Sequence, residues 1–181
     1  MAGRPKDPTI DKKIFSEIER LLEMSHYGEI TIEQIAESTG VSKATIYRRW
    51  KDKASIIIDM FVTHTRDITF NHINLYDALF AFATQIMAIY KTNLGRAVIE
   101  ILVSSKQSEA RGLFMKGYFE SNRRNFKEMI APYLNEEDQD LMIDLVFSPI
   151  YFNILIKPQE LDEHYIQRLL KRLLKAYDIE Q

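Results

Sequence analysis

Residues 31–53 read TIEQIAESTGVSKATIYRRWKDK, and this stretch predicts two short helices joined by a tight turn. Thr31 and Gln34 have the spacing of a capping box, in which each side chain binds the backbone of the other residue and starts a helix. Gly40 ends that helix, because glycine adopts the left-handed backbone of a helix end at little cost. Ser42 then caps the second helix. The stretch is therefore predicted to be a helix-turn-helix.

The second helix of this pair is predicted to present a surface to DNA. Its Ile46 faces inward, and the outer surface is formed by Ser42, Lys43, Ala44, Thr45, Tyr47, Arg48 and Arg49. A major groove accepts such a helix, with Lys43 and Thr45 reaching base edges and the phenol of Tyr47 suited to a phosphate oxygen. Lys53 falls in the first turn of the next helix, where its charge and the free backbone N–H groups together suit a phosphate.

Positive charge is concentrated in this stretch rather than spread over the chain. The 181 residues contain 24 Lys plus Arg against 26 Asp plus Glu, so the whole molecule has no general attraction for nucleic acid. Residues 41–53 differ, because Asp52 is their only acid. Their basic residues are Lys43, Arg48, Arg49, Lys51 and Lys53. This local charge indicates a DNA-binding surface.

The residues that other functions need are missing from the sequence. There is no cysteine, and the histidines are scattered rather than paired at metal-ligand spacing: His26, His64, His72 and His164. No Gly-rich phosphate loop and no nucleophile motif is present. We therefore expect no metal ion, no cofactor and no enzymatic activity. Without cysteine, an apolar leader or an uninterrupted apolar span, the protein is expected in the cytoplasm and not in a membrane.

Apolar residues recur every three or four positions along most of the chain, which predicts an all-α protein of about nine helices. Asp52, Asn135 and Asp162 stand where helices are expected to begin, and each is a good capping residue. Pro149 lies inside one predicted helix, which it is expected to kink without ending. No strand periodicity and no internal repeat accompanies these patterns.

The predicted architecture has two domains. Residues 1–53 form a three-helix DNA-binding head, of which residues 1–9 are a flexible arm. A connector helix begins near Asp52 and runs toward Asn74, and residues 54–181 form a carboxy-terminal helical domain. Arg4 in the arm is expected to enter a minor groove, since a guanidinium on an extended backbone suits a narrow, electronegative groove; a tail without contacts is the alternative.

The helix-turn-helix and the apolar helix before it resemble the TetR family of bacterial transcriptional regulators over residues 10–61. The resemblance implies that Thr31 contacts phosphate, that the residues opening the second helix approach bases, and that Tyr47 and Lys53 clamp the DNA backbone. It also implies a dimer that binds double-stranded operator DNA. In such proteins a variable carboxy-terminal domain binds a small molecule and lowers operator affinity. The segment DLVFSPIYF (residues 144–152) looks like a dimerising helix of one subgroup.

Two further sets of residues are predicted in the carboxy-terminal domain. The candidate ligand residues are Phe82, Gln85, Ile86, Tyr90, Arg111, Phe114 and Tyr118. Packing in the core, or contact with water for the polar ones, is the alternative explanation of these side chains. The candidate dimer residues are Leu145, Pro149, Phe152, Ile166, Leu170 and Leu174, because the last two helices have more apolar positions than one inner face requires.

Together with what the resemblance implies, these observations predict a homodimeric repressor that a hydrophobic small-molecule effector releases from a palindromic operator. The alternative is an all-helical carrier or enzyme for a hydrophobic molecule, in which the helix pair is only a packing unit. A third possibility keeps DNA binding and replaces the small molecule with a protein partner. The direction of regulation follows from family habit alone.

Overall fold

A computed structural model describes residues 8–65, 74–104 and 108–179, and every regular element within these ranges is helical. The first helices are α1 (Pro8–Met24), α2 (Ile32–Thr39), α3 (Lys43–Arg49) and α4 (Lys53–Thr65), with a short 3-10 turn at Tyr27–Glu29. The next are α5 (Leu75–Lys91), α6 (Asn93–Val103), α7 (Ser108–Phe114) and α8 (Glu120–Ile130). The last are α9 (Glu136–Ile156) and α10 (Glu163–Ala176), joined by a 3-10 turn at Pro158–Glu160. The all-α prediction is confirmed.

A π-helical turn, Met115–Phe119, continues α7 directly into α8. Counted as one interrupted helix, α7 and α8 bring the described elements to the predicted number of about nine. The expected connector helix is described only as α4, because residues 66–73 lie outside the described residues. Asn74 is the cap of α5, where its side chain accepts a hydrogen bond from the backbone N–H of Asp77 at 2.8 Å.

The predicted helix boundaries around the turn are confirmed by their hydrogen bonds. Thr31 and Gln34 make both bonds of the capping box, and Ser42 accepts from the N–H of Thr45. Gly40 has φ 66° and ψ 14°, which is the left-handed conformation predicted for the end of α2. Asp52 caps α4 by accepting from the N–H of Ser55 at 2.7 Å.

The chain divides into two compact units that each contain separate stretches of sequence. The first unit contains α1 to α4 together with α6 and α7, and the second contains α5, the π turn, α8, α9 and α10. The division at residue 53 therefore remains a prediction about function, since the compact unit that includes the head extends through α4 and takes in residues 93–114.

The first unit is organised around α1. One face of α1 is buried, as its apolar spacing predicts: Ile14, Phe15, Ile18, Leu21 and Leu22. This helix packs against α2 and α6, and α2 packs against α3. The ring of Phe15 lies 6.0 Å from that of Trp50, whose indole N–H donates to Asp59 Oδ2 at 2.7 Å. The core of this unit thus fixes the residue at the end of α3.

The second unit is organised around α5, which packs against α8, α9 and α10. Phe82 of α5 is fully buried, with its ring edge-on to Phe126 at 5.6 Å and to Phe147 at 5.7 Å. Edge-to-face packing of this kind stabilises a core beyond the burial of apolar area alone. Ile86 of the same helix is also fully buried. Phe82 and Ile86, two of the candidate ligand residues, therefore pack in the core, which was the alternative explanation of their positions.

The sequence predicts that α9 and α10 both supply a dimer surface, and in the structure the predicted residues of the two helices differ in exposure. Ile166, Leu170 and Leu174 of α10 are fully buried inside a single chain, so the expected place of these three in an interface is corrected: they form part of the core. Leu145 and Phe152 of α9 have 39% and 54% of their surface exposed. The amphipathic pattern of α10 provides one apolar face. Because α5 and α9 of the same chain cover that face, it is not available to a second chain.

Helix α9 runs through Pro149 without interruption, as predicted. The proline lacks an N–H, which removes one bond of the helical ladder. The side chain of Asn153 donates to the carbonyl of Pro149 at 2.8 Å one turn later. Among the described residues, α9 is the one helix long and apolar enough to cross a membrane. The core helices of soluble proteins also meet this criterion of length and composition.

Replacing Gly40 by alanine is expected to lower the free energy of unfolding by about 1–2 kcal/mol. The added Cβ would meet no atom within 4 Å, so the cost arises from the positive φ alone. Gly112→Ala in α7 is the matched control, since its Cβ also enters open space and its backbone is helical. The control should be neutral or stabilise by up to about 1 kcal/mol. Urea unfolding measures both; equal effects would contradict the assignment of strain.

Candidate nucleic-acid interface

Helix α3 begins at an exposed surface that the turn positions. Thr31 at the start of α2 and Ser42 at the start of α3 both use their hydroxyls as caps, and both are exposed. The Ser42 hydroxyl lies 3.0 Å from that of Thr45, which is half-buried. Fully buried Ile46 anchors the opposite side of the helix in the core. The structure therefore brings the start of both helices to one surface.

The side chains predicted to contact DNA differ in how accessible they are. Lys43, Ala44 and Arg48 are exposed, and Tyr47 has 52% of its surface exposed although it is a large aromatic residue. An exposed tyrosine beside basic residues suits contact with a phosphate oxygen. Arg4, predicted to enter a minor groove, lies outside the described residues.

Lys43 is held by an acid of the preceding helix. Its ammonium donates to Oε1 of Glu33, in the first turn of α2, at 2.8 Å. The hydrogen bond to Glu33 raises the pKa of Lys43, and the same bond lowers the pKa of Glu33. Both residues are therefore charged at neutral pH. No local pattern predicts this pair, because the two residues are ten positions apart and in different helices.

Arg49 does not lie on the outer surface, and that expectation is corrected. Its side chain is only 6% exposed and donates to Oδ1 of Asp11 in α1 at 2.5 Å. Counting along α3 places Arg49 next to Trp50, at the edge of the buried face, which explains its position. Its charge ties α3 to α1 instead of reaching DNA.

Lys53 is also engaged within the protein. Its ammonium donates to the carbonyls of Tyr27 and Ile30, each at 2.6 Å, and lies 4.1 Å from the centre of the Tyr27 ring. Burial lowers the pKa of Lys53. The Asp52 carboxylate accepts from the N–H of Ser55 in the first turn of α4, which leaves fewer backbone donors for the expected phosphate site; that site stays a prediction. A phosphate contact by Lys53 is left with the third N–H of its ammonium.

The charge that the sequence concentrates in residues 41–53 is thus largely balanced by the fold. Lys51 pairs with Glu109 of α7, as Lys43 does with Glu33 and Arg49 with Asp11. Within the described ranges, Arg48 is the one cation of this segment with neither an acidic nor a carbonyl partner. The surface offered to DNA carries less net charge than the sequence alone indicates.

The candidate ligand residues divide between the two units. Arg111 and Phe114 belong to the first, where Arg111 is exposed and donates to the Leu102 carbonyl at 2.5 Å. Phe114 packs with its ring 6.2 Å from that of Phe61. Half-buried Gln85 and the other candidates belong to the second unit.

Three tyrosines form a cluster in the second unit, where Tyr90 and Tyr118 are buried and Tyr151 is half-buried. The Tyr90 ring lies 6.2 Å from that of Tyr118, which the π turn carries, and 5.2 Å from that of Tyr151. Burial raises the pKa of Tyr90 and Tyr118 far above that of a free phenol, and that of Tyr151 to about 12. The phenols are therefore neutral hydrogen-bonding groups at physiological pH. Tyr90 and Tyr118 are among the predicted ligand residues, and Tyr151 is not.

One cleft lies beside this cluster, and a larger groove lies in the first unit. A cleft of about 10 Å³, room for roughly one water, lies among Tyr118, Asn122, Phe147, Tyr151 and their neighbours. A half-open groove of about 550 Å³ lies in the first unit, between the end of α1, the turn after it and α6. Its lining is largely polar, including Glu23, His26 and Arg96. No group of three or more acidic, His or Cys side chains suited to a metal occurs in the described residues.

Residues 14–60, which contain the helix-turn-helix, match the model of the bacterial regulatory proteins of the tetR family. The chain is also 28% identical over 189 aligned residues to YdeS of Bacillus subtilis (strain 168), an uncharacterized HTH-type transcriptional regulator. The alignment covers 96% of this chain and 92% of that protein. In its helix-turn-helix region the chain is therefore similar to the TetR family. Like the proteins that it matches, the chain is a DNA-binding transcriptional regulator and not an enzyme, which removes the enzyme alternative.

Solved structures agree in fold with this chain along nearly its whole length. The TetR family transcription regulator SCO0332 superposes with a TM-score of 0.69 at 19% identity, covering 95% of this chain and 98% of that one. The flavonoid-responsive regulator FrrA superposes with a TM-score of 0.66 at 19% identity, covering 94% and 96%. Similarity at this level extends the family fold to the second unit, where the sequence motifs end.

Two neighbouring arginines are expected to behave differently because the fold uses one of them. Arg48→Ala should make the dependence of log affinity on log salt shallower by about 0.9, with stability changed by less than about 0.5 kcal/mol. Arg49→Ala should lower the free energy of unfolding by about 1–3 kcal/mol, because it leaves Asp11 without its partner. Salt-dependent DNA binding and urea unfolding measure the two effects. A stable Arg49→Ala protein would contradict the structural role.

Proposed function

We propose that this regulator is a cytoplasmic homodimeric repressor that leaves a two-fold symmetric operator when a small-molecule effector binds. The observation that carries the proposal is the exposed start of α3, where Lys43, Ala44 and Tyr47 stand free of the core that holds Ile46. In this reading Lys43 and Thr45 contact bases. Thr31, Ser42, Tyr47 and Arg48 contact phosphates, which set the register of the head on the duplex.

An exposed apolar stripe on α9 supports the homodimer. Leu141, Leu145, Phe152 and Leu155 are all exposed and recur at helical spacing along one face. Exposed Ser148 interrupts this stripe once, yet monomeric soluble proteins rarely leave so many large apolar side chains together in water. A second copy of the chain covers the stripe in the simplest way, since a two-fold axis sets the same face of each chain against the other. Half-buried Pro149 lies within this face and shapes it.

The combined substitution of Leu145 and Phe152 by glutamate is expected to produce a folded monomer with much weaker operator binding. Each chain of a two-fold dimer would then bury two carboxylates, four in all. Burying each one costs more free energy than the apolar contact that it replaces had contributed. Tyr133→Glu is the matched control, because Tyr133 is an equally exposed aromatic residue of the second unit outside α9. Sedimentation velocity measures the mass. An unchanged dimer in the double variant would place the interface elsewhere.

The tyrosine cluster supports an effector site in the second unit. Tyr90, Tyr118 and Tyr151 provide neutral hydrogen-bonding groups among aromatic rings, which suits a hydrophobic molecule with a few polar groups. Tyr118 lies on a π turn, and such turns often accompany functional sites. The cleft beside it holds about one water, so an effector has to open it. A flavonoid is a reasonable first probe, because the fold neighbour FrrA is described as flavonoid-responsive.

An effector acts on operator binding only through its different affinity for the DNA-bound and free conformations. Coupling of about 1–3 kcal/mol is typical, and it must be reciprocal. In a panel of flavonoids and fatty-acyl compounds, we expect one that releases operator DNA and that itself binds about 5- to 150-fold more weakly when operator is saturating. Calorimetric titration with and without operator measures this factor.

Tyr118→Phe provides the control for that titration. It removes one phenolic oxygen and keeps the ring, so effector affinity should fall by about tenfold while operator affinity without effector stays unchanged. If a compound releases DNA yet binds both forms equally, the coupling mechanism is wrong. If no compound of either class binds and a protein from the same cell releases the operator instead, the effector is a protein partner.

A further inference from the structure

We propose that Glu33 is a positioning residue for DNA reading, which holds the Lys43 ammonium so that Lys43 favours a base edge over a phosphate. The inference rests on the proposed function, in which the start of α3 enters a major groove. Glu33 contributes through Lys43 and needs no contact of its own with DNA.

The geometry places this carboxylate where it controls one cation and little else. Glu33 lies in the first turn of α2 and Lys43 is the first residue of α3, and the two side chains meet at 2.8 Å. Both remain well exposed, with 53% of the Lys43 side chain and 62% of the Glu33 side chain accessible. An exposed ion pair of this kind contributes little to stability. The pair therefore spans the turn of the DNA-binding motif without being needed to hold it together.

Hydrogen-bond counting shows what the paired lysine still offers. An ammonium has three N–H donors, and Glu33 accepts from it at one position. Two donors remain, and a guanine presents two acceptors, N7 and O6, in the major groove. Lys43 held in this way matches a guanine edge while its hydrogen bond to Glu33 stays in place. A free lysine on its flexible stem has no such direction.

Charge counting shows why the held lysine gains little from a phosphate. The pair has no net charge, so it releases almost no counterions when it approaches the DNA backbone. A phosphate oxygen beside the ammonium would also meet the Glu33 carboxylate, which repels it. The guanine acceptors carry only partial negative charge, so the carboxylate repels them far less than it repels a phosphate. Lys43 then contributes to sequence-specific binding and almost nothing to non-specific binding.

The test compares two glutamates of the same helix. A preferred operator is first selected from a randomised duplex pool with the full-length protein. Glu33→Gln removes the charge that faces Lys43 and keeps the shape of the side chain. Glu37→Gln is the matched control, because Glu37 is exposed on α2 and the described structure gives its carboxylate no ion-pair partner. Thermal unfolding of each variant confirms that the fold is retained.

For Glu33→Gln, affinity for scrambled DNA at about 0.15 M salt should rise about fivefold, and the salt slope should steepen by about 0.9. Affinity for the selected operator should rise less, so the ratio of operator to scrambled affinity should fall about threefold or more. Glu37→Gln should leave that ratio unchanged. In a Lys43→Ala background, Glu33→Gln should no longer alter the ratio, which a merely structural role would not predict.

The inference is overturned if Glu33→Gln changes both affinities by the same factor, or changes neither. It is also overturned if the effect persists without Lys43, since Glu33 would then act as a general repulsive charge. Selection that recovers no preferred sequence with the unaltered protein contradicts the proposed function instead. Preferred binding with an unchanged ratio in Glu33→Gln contradicts only the role of Glu33.

Discussion

The left-handed backbone of Gly40 fixes how α3 leaves α2, and the DNA-binding surface depends on that turn. The caps Thr31 and Ser42 satisfy the two helix starts on the same side, while Ile46 and Trp50 anchor α3 in the core of the first unit. Contacts such as Lys43 with Glu33 exist only because the turn brings the two helix starts together. A small change at one backbone angle would therefore displace the whole reading surface.

Ion pairing then decides what this surface offers to DNA. Asp11, Glu33 and Glu109 come from three different helices, and each meets one cation of the helix-turn-helix segment. Some of these pairs serve the fold, as the nearly buried Arg49 shows, and others remain at the surface. Attraction to any phosphate and recognition of particular bases are thus divided among different side chains, with Arg48 best placed for the first and Lys43 for the second.

Local features of the fold could be predicted from the sequence, and long-range pairings could not. Capping residues, Gly40 and the period of α1 act within a few positions, so Thr31, Ser42 and the helix boundaries followed directly. Arg49 was misplaced because its partner Asp11 lies 38 positions away and no local pattern announces it. Leu170 was misplaced for a related reason, since apolar spacing shows which face is buried but not whether the cover is the same chain or another.

The ion pairs of Arg49 and Lys51 form only when the chain folds, because their partners are distant in sequence. In an unfolded or newly made molecule, Arg49 and Lys51 are 38 and 58 residues from the acids that they meet after folding. In a flexible chain, residues so far apart in sequence are on average several times farther apart in space than the roughly 8 Å over which charges act in cellular salt. Residues 41–53, with five basic residues against Asp52 alone, are then a cationic segment that attracts nucleic acid of any sequence. Folding pairs these cations with acids, which lowers the attraction for DNA of any sequence and leaves a surface that can distinguish between DNA sequences.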